Sequence, residues 1–227
     1  MSTIKFEVKN LNKSFKKQKV LVDAGITATS GDVIAFVGEN GCGKSTLLNI
    51  LAGTLKQDSG EVTLTLDDSA IAPSDNWKYI SYVPQTNCLI ESLSAYDNLL
   101  FWYQGNKEKL NEDISNGYIK ELGVDKFIKK KISKMSAGMQ KRVAIACALA
   151  NDPKILLLDE VNASLDVVCK LQIQRIITSY AKRGNIVMLI THEEGDINVC
   201  NRIYYIHKGS VNEIAVTSLK EIFKDKL

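Results

Sequence analysis

Three runs of consecutive apolar residues constrain the fold of this chain more than any other feature. They lie at residues 33–37, 155–158 and 186–190. A strand with one face in water alternates polar and apolar residues, whereas a strand covered on both faces is apolar throughout. Helical patterns open between these runs, at Lys44, at Ala137 and after Asp166. This order predicts an α/β fold with a mostly parallel sheet and right-handed crossovers.

A different pattern begins the chain, where Ile4, Phe6 and Val8 alternate with charged residues. A period of two predicts a strand with one wet face, which we interpret as an antiparallel edge in an N-terminal β subdomain. Residues 92–150 contain no strand-like run and are predicted to form an inserted α-helical subdomain. The predicted organisation is a single domain over residues 1–227, with an α/β core at residues 1–91 and 151–227.

The composition excludes several classes of protein. The 227 residues carry 29 Lys and Arg against 26 Asp and Glu, and a net charge of +3 is too small to indicate nucleic acid as the partner. The longest apolar runs fall far short of the roughly 20 residues that a membrane-spanning helix needs, and no apolar leader precedes the first strand pattern. Five cysteines without a CxxC pair predict reduced thiols. We therefore expect a cytoplasmic protein.

The first apolar run leads into a glycine-rich loop, GENGCGKS at residues 38–45, which matches the pattern G-x-x-x-x-G-K-[ST] and opens a predicted helix at residues 44–53. Glycines let backbone N–H groups converge on phosphate oxygens, and the helix N-terminus adds a favourable dipole. We expect Lys44 to reach the β- and γ-phosphates, Ser45 to supply a hydroxyl to Mg²⁺, and Thr46 to bond near the α-phosphate. The residues predicted to hold a nucleoside triphosphate here are Gly38, Asn40, Gly41, Cys42, Gly43, Lys44, Ser45 and Thr46.

The second apolar run ends in two acids, Asp159 and Glu160. Ligands of open α/β sheets gather at the carboxyl ends of the strands, so these acids are expected to face the same phosphates. Asp159 is placed to hold Mg²⁺ through its water shell, and Glu160 is placed to accept a proton from an attacking water molecule. Together with the glycine-rich loop, the two acids predict a site that hydrolyses a nucleotide.

Residues 135–142, MSAGMQKR, resemble the signature motif of the ATP-binding cassette ATPases, which is LSGGQ followed by a basic pair. Together with the GxNGxGKST form of the loop, this motif identifies the chain as similar to that family of P-loop ATPases. Further matches follow the family's order: Phe15 as the aromatic residue that stacks on adenine, Gln85 as the Q-loop, residues 163–166 as the D-loop and His192 as the switch histidine. The chain departs from the family pattern at Ala137, at Met139 and at residues 161–162, where Val-Asn replaces Pro-Thr.

This resemblance implies how the chain would use ATP and Mg²⁺. Two subunits would pack head to tail, so that Ser136 and Gly138 of each contact the γ-phosphate held in the loop of the other. Asp166 would lie at their interface, and the second subunit would be a copy of this chain or a paralogous ATPase. Gln85 would sense Mg²⁺ and connect the core to the helical insertion. His192 would contact the γ-phosphate and help to orient the attacking water.

The signature motif opens the helix predicted at residues 137–150. Ser136 is expected to cap this helix, because its hydroxyl can accept a hydrogen bond from a backbone N–H of the first turn. The apolar positions of the helix are spaced to bury one face, and Lys141 and Arg142 are expected to be available on the other. A capped helix N-terminus can bind an anion, so the start of this helix is a second anion site in addition to the phosphate loop of the same chain.

A further apolar cluster, at residues 99–103, lies in the helical insertion. Five consecutive apolar residues are more than one narrow helical stripe can bury. Trp102 and Tyr103 are therefore candidates to line a groove in which a membrane subunit docks. The alternative is that both residues pack inside the insertion.

The resemblance favours the energising ATPase of a membrane transporter whose permease subunits are separate chains, with this chain peripheral on the cytoplasmic face. The KMSAGMQKR stretch looks more like exporter subunits of drug, peptide or antibiotic systems than like importers. The alternative is a soluble ATPase of the same family that acts in cell division or iron–sulfur assembly. A small-molecule kinase is disfavoured, because a kinase has no use for a signature helix or for a general base beside its Mg²⁺ ligand.

Overall fold

The computed structural model describes residues 3–86, 88–163 and 165–215. Ser164, which belongs to the predicted D-loop, lies outside the described residues. Within them the backbone forms two β-sheets, one with four strands and one with six. The confirmed fold class is α/β, with a mostly parallel sheet, an antiparallel sheet and flanking helices.

The six-stranded sheet is built on the apolar runs. Its strands are β3 (Val33–Gly38), β6 (Ile80–Val83), β7 (Ile155–Asp159), β8 (Ile186–Ile190), β9 (Arg202–His207) and β10 (Ser210–Ile214). They lie in the order β10-β9-β3-β8-β7-β6, and all pairs are parallel except β10 with β9. Every residue of β3, β7 and β8 is buried, which confirms that these strands are covered on both faces.

The antiparallel sheet holds β1 (Ile4–Phe15), β2 (Gln18–Thr29), β4 (Ser59–Leu66) and β5 (Ser69–Ile71), in the order β2-β1-β4-β5. The prediction that the first strand is an edge is wrong, because β1 pairs with β2 on one side and with β4 on the other. The alternation did identify the buried face, since Ile4, Phe6 and Val8 all point inward. A period of two reports which face of a strand is wet, and it carries no information about the strand's neighbours.

Some of the α-helices pack on the sheets, and the others form the insertion. They are α1 (Lys44–Leu51), α2 (Ala95–Trp102), α3 (Lys107–Asn116), α4 (Tyr118–Glu121), α5 (Ala137–Leu149), α6 (Val167–Lys182) and α7 (Glu194–Ile197). The residue before α5 and the residue before α6 both cap their helix. The Ser136 hydroxyl accepts a hydrogen bond of 3.3 Å from the Met139 N–H, and the Asp166 carboxylate accepts one of 2.9 Å from the Cys169 N–H. These caps explain why both helices begin where the sequence predicted.

Residues 92–150 are helical, as predicted. They contain α2 to α5 and two short 3-10 turns, Val124–Phe127 and Ile132–Lys134, with an isolated β-bridge between Ser94 and Lys131. The division of the chain into a core at residues 1–91 and 151–227 and an insertion remains a prediction. In the part of the chain that the structure describes, no helix is both long and apolar enough to cross a membrane.

Two apolar layers enclose the six-stranded sheet. On one face, residues such as Phe36, Leu157 and Met188 pack against α1 and the antiparallel sheet. On the other face, alternate residues of the same strands pack against α5, α6 and the helices of the insertion. Because β3, β7 and β8 are buried along their whole length, these three strands can present functional groups to solvent only at their ends.

Candidate functional site

Four segments that carry predicted site residues meet at one edge of the six-stranded sheet. The strands β3, β8, β7 and β6 are successive neighbours and run parallel, so their carboxyl ends lie side by side. The chain leaves β3 into the glycine-rich loop, and it leaves β6, β7 and β8 just before Gln85, Glu160 and His192. Strand pairing therefore brings together residues that are far apart in the sequence.

The glycine-rich loop curls tightly because two of its glycines come very close to neighbouring strands. Gly38 has φ +154°, and a Cβ atom there would lie 2.4 Å from the carbonyl oxygen of Ile206 in β9. Gly43 has φ +110°, and a Cβ atom there would lie 2.9 Å from Cγ1 of Val20 in β2. Only a residue without a side chain fits at either position with this backbone conformation.

The Lys44 side chain lies inside the curl of the loop. It is only 6% exposed, and its Nζ atom donates hydrogen bonds of 2.8 Å to the carbonyl oxygens of Gly38 and Glu39. This arrangement holds a positive charge within the loop at the start of α1, where it would add to the attraction of a helix N-terminus for a phosphate. The other predicted loop residues surround Lys44, with Asn40, Gly41 and Ser45 exposed and Cys42 and Thr46 partly buried.

Glu160 follows β7 and lies between Gln85 and His192. Its Oε2 atom accepts a hydrogen bond of 2.8 Å from Nε2 of Gln85, and its Oε1 atom lies 3.7 Å from Nε2 of His192. The backbone of Glu160 is left-handed, with φ +46°, which costs a residue with a Cβ atom roughly 1 to 2 kcal/mol. The Glu160 N–H donates to the carbonyl oxygen of Ile190 at 3.1 Å, and this bond to β8 holds the strained conformation.

The surroundings of His192 favour the neutral imidazole. Partial burial and the positive charge of Lys44 lower the pKa of His192 below its ordinary value of 6.5, and the smaller effect of Glu160 acts in the opposite direction. A neutral imidazole has one N–H donor and one acceptor nitrogen. His192 can therefore donate to a phosphate oxygen and accept from a water molecule at the same time.

Asp159 ends β7 and is almost fully buried. Its Oδ2 atom accepts a hydrogen bond of 3.2 Å from the Tyr82 hydroxyl, whereas its Oδ1 atom is buried without a hydrogen-bond partner among the described residues. Burial and the neighbouring carboxylate raise the pKa of Tyr82, so this hydroxyl keeps its proton and remains a donor. Sequence reasoning assigned no role to Tyr82, because its partner lies 77 positions away and only the pairing of β6 with β7 joins them.

Ser136, Gly138 and Asp166 form a second group, where α5 meets α6. A Cβ atom on Gly138 would lie 2.7 Å from the Cys169 sulfur and 3.7 Å from the Asp166 carboxylate. Gly138 therefore lets the first turn of α5 approach the first turn of α6 closely. Ser136 and Ala137, at the capped start of α5, are exposed.

The prediction that Lys141 and Arg142 are available on the surface of α5 is wrong. The Lys141 ammonium donates hydrogen bonds of 3.1 Å to the carbonyl oxygens of Pro84 and Gln85. The Arg142 guanidinium donates to the Leu122 carbonyl oxygen at 3.1 Å and to the Gln172 side chain at 2.9 Å. Both cations are engaged because irregular segments of the chain offer carbonyl oxygens that need donors. Lys141 in particular ties α5 to the segment that carries Gln85.

Phe15 lies beside the glycine-rich loop. It is the last residue of β1 and pairs with Gln18 across a tight turn. Val20, two residues further along β2, is the residue that approaches Gly43. The Phe15 ring is 47% exposed and has the Lys13 ammonium 5.4 Å from its centroid. The hairpin therefore presents an aromatic face near the start of α1.

A groove of about 1230 Å³ separates the sheet side of the molecule from the helical insertion. Its wall includes three exposed aromatic residues, Trp77, Phe101 and Trp102. Trp102 thus lines a groove, as predicted. For Tyr103 the alternative holds, because this side chain is only 4% exposed and its hydroxyl donates to the Asp113 carboxylate inside the insertion.

These features define a class of protein. A phosphate-binding loop with a buried lysine opens a helix, and an acid that can serve as a general base follows β7, which is separated from β3 by β8. That arrangement belongs to P-loop nucleotide hydrolases. Comparison with known proteins gives the particular family: residues 21–163 match the family model described as ABC transporter. The chain belongs to this family and is an ATP-binding ATPase subunit with a single nucleotide-binding domain.

Individual relatives agree with this assignment. The lipopolysaccharide export ATP-binding protein LptB of Escherichia coli K12 is 32% identical, over 96% of this chain and 92% of that protein. The spermidine/putrescine import ATP-binding protein PotA of Haemophilus influenzae Rd is 30% identical over 96% of this chain, which spans 59% of PotA. One solved structure is a dimeric ATP-binding cassette in a post-hydrolysis state, bound to ADP and Pi. It is 27% identical to this chain with a TM-score of 0.79, and the alignment covers 93% of this chain and 98% of the chain in that structure.

We expect His192 to titrate below pH 6.5 in the nucleotide-free protein. The measurement is an NMR titration of the imidazole protons in a His207→Gln variant, which leaves His192 as the remaining histidine of the two. Lys44→Ala should raise the His192 pKa, and Glu160→Gln should lower it further. Since the folded-state pKa is depressed, the linked stability is complete above pH 6.5 and declines as the pH falls toward the folded-state pKa. A His192 pKa above 6.5 would contradict this account.

Gly138→Ala should destabilise the protein by about 1–3 kcal/mol, because the added methyl group overpacks the contact with Cys169. Cys169→Ala removes the obstructing sulfur, so the double variant should lose less stability than the sum of the two single variants. The measurement is urea unfolding of all four proteins. Strict additivity of the two changes would show that Gly138 and Cys169 do not constrain each other.

Proposed function

We propose that this chain powers a membrane transporter by binding and hydrolysing ATP between two ATPase subunits, on the cytoplasmic face of the membrane, with separate permease chains. The observation that carries the proposal is the meeting of Lys44, Gln85, Glu160 and His192 at one edge of the sheet. The family membership supports the transport role.

Hydrolysis follows from the roles that these side chains can perform. Lys44 neutralises phosphate charge, and the loop N–H groups bind the phosphate oxygens. Glu160 accepts a proton from the attacking water, while Gln85 and His192 hold the Glu160 carboxylate and that water in place. The strained backbone of Glu160 supports this assignment, since residues held in strained conformations cluster at functional sites.

The residues also fit a magnesium ion. Asp159 offers a buried carboxylate oxygen with no partner among the described residues, and Mg²⁺ bound to a nucleotide needs few protein ligands because it keeps several waters. Ser45, Gln85 and Asp159 would hold the ion. It would supply positive charge that neutralises the phosphates during hydrolysis.

The second group of residues fits a second subunit. The start of α5 is exposed and capped by Ser136, which suits an anion that this chain's own loop does not hold. Directly after Asp166, the first turn of α6 exposes Val167 and Val168 by 72% and 67%. Exposed valines beside a predicted interface residue support the proposal that this turn is buried against another ATPase subunit, either a copy of this chain or a paralogue. The dimeric structure of a relative bound to ADP and Pi supports a pairing of two such subunits.

The groove fits the permease. Its wall combines exposed aromatic rings with apolar residues of α2 and α5, which suits one apolar face of an amphipathic helix. Export is the direction we favour, because the alignment with LptB spans nearly all of both chains, whereas that with PotA spans little more than half of PotA. A soluble ATPase of cell division or iron–sulfur assembly would need no such groove for a membrane subunit.

Glu160→Gln tests the hydrolytic and dimeric parts of the proposal together. We expect ATP hydrolysis to fall by roughly 100-fold or more, because the general base is lost, while ATP binding persists. With ATP and Mg²⁺ the variant should form a stable dimer with two trapped nucleotides, measured by light scattering and nucleotide analysis. The wild-type chain should remain mostly monomeric because hydrolysis releases the dimer.

Glu194→Gln is the matched control, since Glu194 is an exposed carboxylate on α7. This variant should hydrolyse ATP like the wild type. Adding Val168→Asp to the Glu160→Gln chain should abolish the trapped dimer, because it places a charge in the proposed interface. If Glu160→Gln hydrolyses ATP at the wild-type rate, or remains monomeric with ATP bound, the proposed mechanism is wrong.

Substitution in the groove tests membrane association. Phe101→Glu and Trp102→Glu should each reduce the fraction of the ATPase that sediments with membranes from cells that naturally contain it, because a charge disfavours burial against an apolar helix. Val22→Glu, on the exposed face of β2, is the control and should leave this fraction unchanged. Equal sedimentation of all four chains would contradict docking at this groove, and absence of the wild type from membranes would favour the soluble alternative.

A further inference from the structure

A buried carboxylate outside the predicted site joins three segments of the chain. Asp196 lies in α7 and is only 1% exposed. Its Oδ1 atom accepts hydrogen bonds from Nδ2 of Asn162 at 2.6 Å and from Nε2 of Gln174 at 2.8 Å. Its Oδ2 atom accepts from the Thr191 hydroxyl at 2.8 Å. Three side chains that are distant in sequence therefore converge on one acceptor.

Each donor comes from a segment that is close to the nucleotide site or to its proposed interface. Asn162 follows Glu160 by two positions, and Thr191 directly precedes His192. Gln174 lies on α6, the helix that begins at the proposed subunit interface. Asp196 is thus hydrogen-bonded to one side chain close to Glu160 in the sequence and to another next to His192.

The chemistry of a carboxylate makes this junction rigid. An ionised carboxylate only accepts hydrogen bonds, and a buried one is costly unless donors surround it. Asn162 is itself only 1% exposed, so its amide cannot exchange the hydrogen bond to Asp196 for one to solvent. A nearby ion pair of 2.8 Å between Lys170 and Glu193 adds a second link between α6 and the residue after His192. The three segments therefore have little freedom to move independently.

We propose that Asp196 is a positioning residue for ATP hydrolysis, which fixes Glu160 and His192 relative to each other through Asn162 and Thr191 and links both to α6. The proposal rests on the roles proposed above for Glu160 and His192. It also gives a purpose to Asn162, where the sequence departs from the Pro-Thr of the family pattern. The Asn162 amide supplies the donor that reaches the Asp196 carboxylate.

Asp196→Asn tests this role, because it keeps the shape of the side chain and replaces one acceptor oxygen with a donor. We expect kcat for ATP hydrolysis to fall by roughly 10- to 100-fold, since misplacement of about 1 Å has effects of that size. ATP affinity should stay within about 2-fold, because the loop that binds the phosphates is untouched. The measurements are steady-state kinetics and ATP binding with the full chain at a temperature where all variants are folded.

Asp32→Asn is the matched control for loss of stability. Asp32 is also a buried carboxylate, and it accepts hydrogen bonds from Thr29, Asn201 and Arg202. It precedes β3 and so lies at the opposite end of that strand from the glycine-rich loop. Asp32→Asn should lower Tm yet leave kcat near the wild-type value. If both variants lose kcat in proportion to their loss of Tm, Asp196 has a merely structural role and the proposal is wrong.

A second readout does not depend on hydrolysis. In the His207→Gln background, Asp196→Asn should shift the His192 imidazole NMR signals of the nucleotide-free protein, whereas Asp32→Asn should not. The exchanged pair Asn162→Asp with Asp196→Asn restores an amide donor facing a carboxylate and should recover part of kcat. If Asp196→Asn does not fold, Thr191→Val removes the hydroxyl link to Asp196, together with the hydrogen bond that this hydroxyl accepts from the Glu193 N–H. Asn162→Leu is therefore tested beside it, because it removes a donor to Asp196 and leaves the Thr191 hydroxyl in place, and both variants should shift the His192 signals.

The positioning role of Asp196 and the catalytic role of Glu160 can be disproved independently. Unshifted imidazole signals together with wild-type kcat in Asp196→Asn would overturn the positioning role, even if Glu160→Gln traps a dimer as expected. Full hydrolysis by Glu160→Gln would instead overturn the proposed catalytic role of Glu160, even if the signals of His192 move when Asp196 is changed.

Discussion

The parallel pairing of β6, β7, β8 and β3 is the constraint on which the rest of the structure depends. The register places Asp159 opposite Ile190 and Leu158 opposite Val83, so that the strands end nearly level with one another. Because β3, β7 and β8 are parallel and wholly buried, these strands can bring polar groups to solvent only beyond their ends. The glycine-rich loop, Glu160, which we propose as the general base, and His192 all occupy that one edge.

Pairing brings the segments together, and side-chain hydrogen bonds then set their geometry. Tyr82 holds one oxygen of Asp159, Gln85 holds one oxygen of Glu160, and Asp196 collects donors from both sides of the site. The left-handed backbone of Glu160 is stable because the adjacent strand accepts its N–H. A site of this kind needs a rigid surrounding, since small displacements of a base relative to its water have large effects on rate.

The contacts of Lys141 connect this edge to the helical insertion. Its ammonium binds the carbonyl oxygens of Pro84 and Gln85, and the Gln85 side chain binds Glu160. The aromatic groove lies beside the same segment, with Tyr82 and Cys88 in its lining. A partner that displaced the insertion would therefore act on Glu160 through two successive contacts, from Lys141 to Gln85 and from Gln85 to Glu160. These contacts connect the groove to the site in the proposed transport cycle.

The sequence by itself determined the parallel core, the helix starts and the identity of the phosphate loop, because each depends on local residue type: continuous apolar runs, N-capping side chains and glycines at fixed spacing. It also placed Glu160 and His192 after buried strands, whereas Gln85 was named from the family resemblance, and the catalytic and metal-binding roles of all three remain predictions. Only the tertiary structure decided that β1 is a central strand, that Lys141 and Arg142 are engaged, and that Tyr103 is buried. It alone revealed Tyr82 and Asp196 as partners of the site. These outcomes depend on pairing between distant segments, and a single sequence carries no local signal for a hydrogen bond across 77 positions.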